Sequence, residues 1–190
     1  MLTQEQDEIL NKPKTEIIEG VIYLQATPTR LHGIIETEIG YQIRTQINRK
    51  HCIVTSDTLE VKSEKHNSKI VPDVALECKN NAKGEYNTKL VVEVWSSSNG
   101  KVEREKKKQI YAENKIPYFL EVDYLKHSFC MSKLSEAGEY QTVIDRQVYS
   151  AVEQKELENY NENDYILELE SPKITINMQE VFDIYFEHNR

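Results

Sequence analysis

An apolar run with a carboxylate inside it constrains this chain more than any other feature. Leu90-Val-Val-Glu93-Val-Trp95 has the branched and aromatic character of a buried strand, and strand alternation puts Glu93 on the face shared by Val91 and Trp95. An ionised carboxylate buried without a partner is strongly unfavourable, so Glu93 must be paired, protonated or bound to a cation. Ile70-Val-Pro-Asp73-Val-Ala-Leu76 has the same character, with Asp73 interrupting an apolar run. Two neighbouring strands that each present one carboxylate make an oxygen-rich pocket suited to a hard divalent cation. Other readings stay open at this point. Pro72-Asp73 also reads as a turn dipeptide, and Glu93 as the partner of an arginine on a packed helix. Glu121 and Asp123 compete on a strand of similar character, whereas Glu60 simply alternates outward.

The 190 residues are enough for one domain, 1–190, with a real core. With 38% hydrophobic and 29% charged residues the chain is neither disordered nor fibrous. No apolar run approaches the ~20 residues of a membrane span. The opening MLTQEQDEIL lacks the basic-then-apolar order of a signal peptide, so no membrane partner and a cytoplasmic location are expected. Cys52, Cys78 and Cys130 are an odd, widely spaced set without CxxC, which argues against a disulfide framework or a zinc knuckle. Neither HExxH, nor a GxSxG elbow, nor a glycine-rich phosphate loop is present, which disfavours zinc, serine-nucleophile and nucleotide-cofactor chemistry. The net charge of −8 is concentrated: residues 151–190 hold ten acidic and three basic side chains, against 22 and 21 in 1–150. That segment reads as an acidic C-terminal extension. Binding to a polyanion then needs a local basic patch, and the run Lys101-Val-Glu-Arg-Glu-Lys-Lys-Lys108 is one.

Hydrophobic periodicity places the elements. Thr3–Leu10 reads as a short helix stopped at Pro13, and residues 15–18 and 21–25 as a hairpin around Glu19-Gly20. Leu31, Ile35, Ile39, Ile43 and Ile47 recur every fourth position, which predicts an amphipathic helix over 29–49. Strands are expected at 53–54, 59–61, 70–76, 90–95 and 118–122, with a polar helix over 100–115 capped by Ser98 or Asn99. A hairpin over 123–144, an acidic loop at 153–164 and strands at 165–169 and 174–176 follow. Asn177 then opens a terminal helix carrying Val181, Phe182, Tyr185 and Phe186. The expected class is α/β (α+β), a central mixed sheet flanked by helices.

The order is an acid in a strand, a second acid in a strand twenty residues on, then a lysine-rich helix. A metal held by Asp73 and Glu93 with a nearby ammonium supplies what phosphodiester hydrolysis needs. Here the chain resembles the PD-(D/E)XK nuclease superfamily, and more closely the Uma-two-type, restriction-endonuclease-like proteins. The resemblance rests on Glu16-Ile-Ile-Glu-Gly-Val-Ile-Tyr23, Pro28-Thr-Arg-Leu-His32, Val71-Pro-Asp73-Val-Ala, Leu90-Val-Val-Glu-Val-Trp-Ser96 and Lys107-Lys-Gln-Ile-Tyr111, followed by Ile116-Pro-Tyr-Phe-Leu-Glu-Val-Asp123. It departs from the family at Ser96-Ser-Ser-Asn99, in place of Ser-Pro-Ser/Thr, and at Glu103-Arg104, in place of Asp-Arg.

The resemblance implies a restriction-endonuclease-like fold and an Mg²⁺- or Mn²⁺-dependent endonuclease acting on DNA. Asp73 and Glu93 become the metal ligands and Lys107 the catalytic lysine, supplied by the helix because Trp95 stands two residues after the second acid. Glu16 and His32 are supporting site residues, and Lys101, Arg104, Lys106 and Lys108 are candidate phosphate contacts. A homodimer is expected, with the apolar terminal helix as its interface. The alternative is a catalytically inactive module of the same fold that binds nucleic acid or a protein partner, which the acidic C-terminal segment suits.

Overall fold

The computed structural model describes residues 15–25, 27–80, 84–96 and 99–189; the helix expected at 3–10 lies outside them, as does Ser98. Strands β1 (Thr15–Ile18) and β2 (Val21–Leu24) form the expected hairpin. Its turn residues Glu19 and Gly20 both have positive φ, 51° and 77°, the pairing that matches the twist of the flanking strands. Helix α1 (Arg30–Gln46) buries Ile35, Ile39 and Ile43, and Thr29 caps it by accepting from His32 N. Strands β3 (Cys52–Ser56), β4 (Val61–Ser63), β5 (Ser68–Ile70), β6 (Val74–Lys79) and β7 (Tyr86–Trp95) follow. Helix α2 (Lys101–Glu113) leads to β8 (Tyr118–Asp123), β9 (Ser128–Leu134) and β10 (Tyr140–Gln147). Two 3₁₀ turns at 153–156 and 162–165 fill the expected acidic loop, before β11 (Ile166–Glu170), β12 (Lys173–Asn177) and α3 (Met178–His188). Asn177 caps α3, accepting from Gln179 N and Glu180 N.

The large sheet has the order β10-β9-β8-β7-β6-β3. Only β7 and β8 run parallel in it, joined by α2 as a crossover helix. A smaller sheet, β2-β1-β5-β4, and α2 cover one face around Ile18, Val91, Trp95, Tyr111 and Phe119. Helices α1 and α3 and the β11–β12 hairpin cover the other, around Val74, Val92, Leu120 and Phe182.

Four expectations need correcting. The run 70–76 is two strands in two sheets: β5 ends at Ile70 and β6 begins at Val74, and the break falls on Val71-Pro72-Asp73, where proline has no N–H for a ladder. Helix α2 is entered at Gly100, without a side-chain cap; Asn99 instead accepts from Ser96 N and donates to Glu103. Cys52 and Cys78 face each other in the β3–β6 register and are disulfide-bonded. The apolar face proposed as a dimer interface is turned inward: Val181, Phe182 and Tyr185 are buried in the chain's own core, beside Leu167, Leu169, Ile174 and Ile176 of the acidic segment.

Helix α1 also finishes an edge. Gln46 donates to Thr175 O (2.6 Å) and accepts from Thr175 N (3.0 Å), and Gln42 makes the same pair with Asn177 (3.3 and 2.8 Å). A four-residue helical step of about 6 Å matches a two-residue strand step, so two glutamine amides stand in for a further strand along β12.

Candidate active site

Three elements converge on one buried ammonium. Lys107 lies on the inward face of α2 and is 2% exposed, while its neighbours Lys106 and Lys108 point outward, about 100° away on either side. Its Nζ sits 2.8 Å from Glu16 Oε2 and 3.0 and 3.1 Å from the two Glu93 oxygens. Glu93 alternates inward with Val91 and Trp95, as its strand position requires. Glu16, fully buried, comes from β1 of the small sheet; it also accepts from Val71 N (2.7 Å) and Gln25 Nε2 (2.6 Å). That carboxylate therefore fixes the chain entering Asp73 as well as the lysine.

Asp73 stands just beyond the first ladder residue of β6. Its N–H donates to Val92 O (3.1 Å), which sets Asp73 next to Glu93, close enough for its charge to act on that carboxyl. Its Oδ2 accepts from Val94 N (2.7 Å), and its carbonyl accepts from Asp57 N (3.2 Å). His32, in the first turn of α1, brings Nε2 to 3.4 Å from Asp73 Oδ2. Among the described residues its Nδ1 is buried without a hydrogen-bond partner, 3.8 Å from Glu36 Oε2. The five residues, far apart in the chain, thus form two neighbouring contact groups, His32 with Asp73 and Glu16 with Lys107 and Glu93, and the charge of Asp73 reaches the second group.

The electrostatics follow from burial and from an excess of carboxylates. Burial pushes Glu93 up to about 8; Lys107 pulls it down, and Asp73 and Glu16 push it up again. Burial works against the Lys107 charge, but Glu93 and Glu16 outweigh it and hold the ammonium above its ordinary range. His32 is likewise raised, because Asp73 overcomes the effect of burial. Tyr111, one turn after Lys107, donates its hydroxyl to Glu93 Oε1, and burial with that neighbour keeps it a phenol. Tyr111 was not among the expected site residues; its (i, i+4) spacing from an inward lysine is the signal that it shares the site.

The competitors and the rim are engaged elsewhere. Glu121 accepts from Trp95 Nε1 (3.2 Å) and lies 3.6 Å from Lys108. Asp123 pairs with Arg104 (3.1 Å) and Lys126 (3.2 Å). Lys106 pairs with Glu19 at 2.6 Å. Of the four expected phosphate contacts, Arg104, Lys106 and Lys108 already face carboxylates, and Lys101 is exposed.

Residues matching a divalent cation are present in kind. Asp73 and Glu93 offer hard oxygens close enough for one to act on the other's charge, and the three buried carboxyl groups exceed the single ammonium among them. Among the described residues no three histidine, cysteine or acidic side chains form a ready cage. A cation held by two carboxylates that draws its other ligands from water and substrate, as Mg²⁺ does, fits such a set.

The sequence matches the model of the Uma2 family, described as putative restriction endonuclease, over residues 4–172, so the match ends before α3. Among solved structures, a putative nuclease belonging to DUF820 from Anabaena variabilis ATCC 29413 superposes with a TM-score of 0.63. That alignment covers 97% of this chain and 99% of that one at 14% identity, a likeness of fold. No curated protein matches the sequence.

Proposed function

Because the chain belongs to the Uma2 family of putative restriction endonucleases and has the restriction-endonuclease-like fold, we propose that it is a metal-dependent nuclease that hydrolyses phosphodiester bonds of DNA. The observation that carries this is the meeting of Glu16 and Glu93 on the buried Lys107, with Asp73, just ahead of β6, near enough to act on the charges of both Glu93 and Lys107. A charged cluster of that kind is unfavourable as mere core, and it is what a cation-assisted hydrolysis requires.

Asp73 and Glu93 would hold Mg²⁺ or Mn²⁺, together with a backbone carbonyl after Glu93. When bound, the cation would polarise the phosphodiester and lower the pKa of its water. Lys107 stays protonated and positions the attacking water, and its charge stabilises the charge developing on phosphate. Glu16 orients Lys107 and anchors Val71 N, which fixes the approach to Asp73. His32, beside Asp73, is placed to contact phosphate. Lys101 and the outward lysines of α2 would guide the strand at the rim, after exchanging their carboxylate partners for phosphate. The protein would act in the cytoplasm as a homodimer, through a surface other than the inward face of α3. No described helix is long and apolar enough to cross a membrane.

The test is cleavage of supercoiled and single-stranded DNA with Mg²⁺ and Mn²⁺, comparing wild type with Asp73→Asn and Lys107→Ala. Cleavage lost in both variants is expected. Equal cleavage by all three proteins, or none by wild type, overturns the reading. The neutralised state of Arg104, Lys106 and Lys108 favours one second reading, a non-catalytic module for a protein partner. That reading predicts no Mn²⁺ binding and none lost in Asp73→Asn.

A further inference from the structure

His32 meets Asp73 through one ring nitrogen only. Among the described residues Nδ1 is buried without a hydrogen bond, with Glu36 Oε2 at 3.8 Å, so no bond of hydrogen-bond length on the far side fixes the rotation of the imidazole. Histidines that serve a metal or phosphate site are ordinarily oriented by a bond to that second nitrogen. Beside the Asp73 and Glu36 carboxylates, packing and the placement of its backbone restrain the ring, and both of these lead to one residue.

That residue is Tyr124, buried directly after β8. Its ring meets the His32 ring edge-on, with centroids 6.3 Å apart and planes at 89°. Its hydroxyl shares a hydrogen bond of 3.3 Å with Thr29 Oγ1, and the same oxygen accepts from His32 N at 3.2 Å. A threonine oxygen has two lone pairs and one proton, so it serves both contacts at once. The Tyr124 ring also packs against Tyr185 of α3, with centroids 6.1 Å apart. Tyr185 in turn lies against Phe182, Phe186 and His127.

We propose that Tyr124 is a positioning residue for His32: its hydroxyl sets the backbone of the first turn of α1 through Thr29, its ring sets the imidazole against Asp73, and its contact with Tyr185 makes both depend on the seating of α3. The role of His32 in cleavage rests on the nuclease reading; the placement of its ring does not. Geometry alone distinguishes this from ordinary core packing. A core tyrosine needs only volume, whereas Tyr124 touches the cap, the functional ring and the terminal helix together.

The test has two arms. In the metal-free protein, the His32 ring Cε1–Hε1 signal is followed by NMR in wild type, Tyr124→Phe, Tyr124→Leu and Phe129→Leu. Phe129 is a buried core residue whose ring neighbour is Tyr165, so its variant controls for lost packing. The His32 signal should move in both Tyr124 variants, further than those of the other histidines, and stay in place in the control. In the second arm, Tyr124→Phe should lower the cleavage rate about fivefold, the effect of one lost hydrogen bond. In a His32→Ala background the same change should cost less than about twofold, since a positioning residue acts only through what it positions. A His32 signal unmoved by either Tyr124 variant, or an equal loss of rate in both backgrounds, overturns the inference. Absence of any cleavage by wild type would sink the nuclease reading instead, and the NMR arm would still decide the placement.

Discussion

Replacing Lys107 with methionine isolates the charge from the packing. Methionine keeps an unbranched stem of similar reach beside Trp95, over whose ring the ammonium now sits at 5.7 Å. Removed are contacts of 2.8 Å to Glu16 and 3.0 Å to Glu93. At an effective dielectric of about 20, each pair at ~3 Å is worth about 5.5 kcal/mol gross. More than half of that sum is offset by the desolvation of the ammonium and the ordering of its side chain. The net loss on removing one partner of a buried pair is about 3–5 kcal/mol. With an ordinary urea slope of about 2 kcal/mol/M, the midpoint should fall by about 2 M without metal above about pH 8, where Glu93 is ionised in the wild type. Adding Glu93→Gln should then restore about 2 kcal/mol, because it removes one of the two orphaned charges. Glu16 keeps Val71 N and Gln25 as donors in either variant. Mn²⁺ should stabilise Lys107→Met more than wild type, since a cation can take the place of the lost ammonium. A midpoint unchanged in Lys107→Met, or a double variant weaker than the single one, would refute the claim that these carboxylates are held by a shared counter-charge.

Three further outcomes follow from particular contacts. Tyr111→Phe leaves Glu93 with Lys107 as its remaining hydrogen-bond donor and should destabilise by about 1–3 kcal/mol in urea melts, the cost of an unmet buried acceptor; a neutral change would mean that the hydroxyl contributes nothing. Asp123 is pushed up by burial, but Arg104 and Lys126 outweigh it and hold it below its ordinary range. A carboxyl with a depressed folded pKa contributes stability above its unfolded pKa and loses it as pH falls through the folded one. Asp123→Asn should therefore lower the melting temperature at neutral pH, with the gap closing below about pH 4; a gap constant with pH contradicts this. Gln46→Ala exposes Thr175 N–H and C=O at the β12 edge, so the Thr175 amide should exchange with solvent faster, at a cost of about 0.5–1.5 kcal/mol. Unchanged exchange would show that the glutamine does not guard the edge.

What could be read beforehand was whatever a short window determines. The four-residue period of α1 needs only its own residues, and so does the Glu19-Gly20 turn. A charge inside an apolar strand stands out for the same reason, which is why Asp73 and Glu93 were visible without a fold. The break in 70–76 was hidden because apolar character is continuous across it while the hydrogen-bonding partner changes from the small sheet to the large one. Nothing in the spacing of Cys52 and Cys78 reports that β3 and β6 pair in that register. The lysine run likewise shows its charges but not the carboxylates that other elements bring to it: Glu19 from the β1–β2 turn, Glu121 and Asp123 from β8.

Lys107 itself was reached through the order of motifs and not through spacing from the second acid, and the architecture explains why spacing fails. Two residues after Glu93, on the same face of β7, stands Trp95, where a strand lysine would project its ammonium. The parallel pairing of β7 with β8 requires a crossover, and that crossover, α2, lies over this face. A lysine on the inward side of α2 therefore delivers the same charge to the same place from above, as the 5.7 Å between Lys107 Nζ and the Trp95 ring records. The strand position is then free for an indole, whose N–H holds Glu121 and whose face carries Arg104 at 5.0 Å. Arg104 continues to Asp123, so the side chain that replaces the strand lysine also ties α2 to β8. What the chemistry constrains is the position of the ammonium relative to two carboxylates. Under the proposed function either element would satisfy it, and a pattern written along one strand would miss a lysine that the helix supplies.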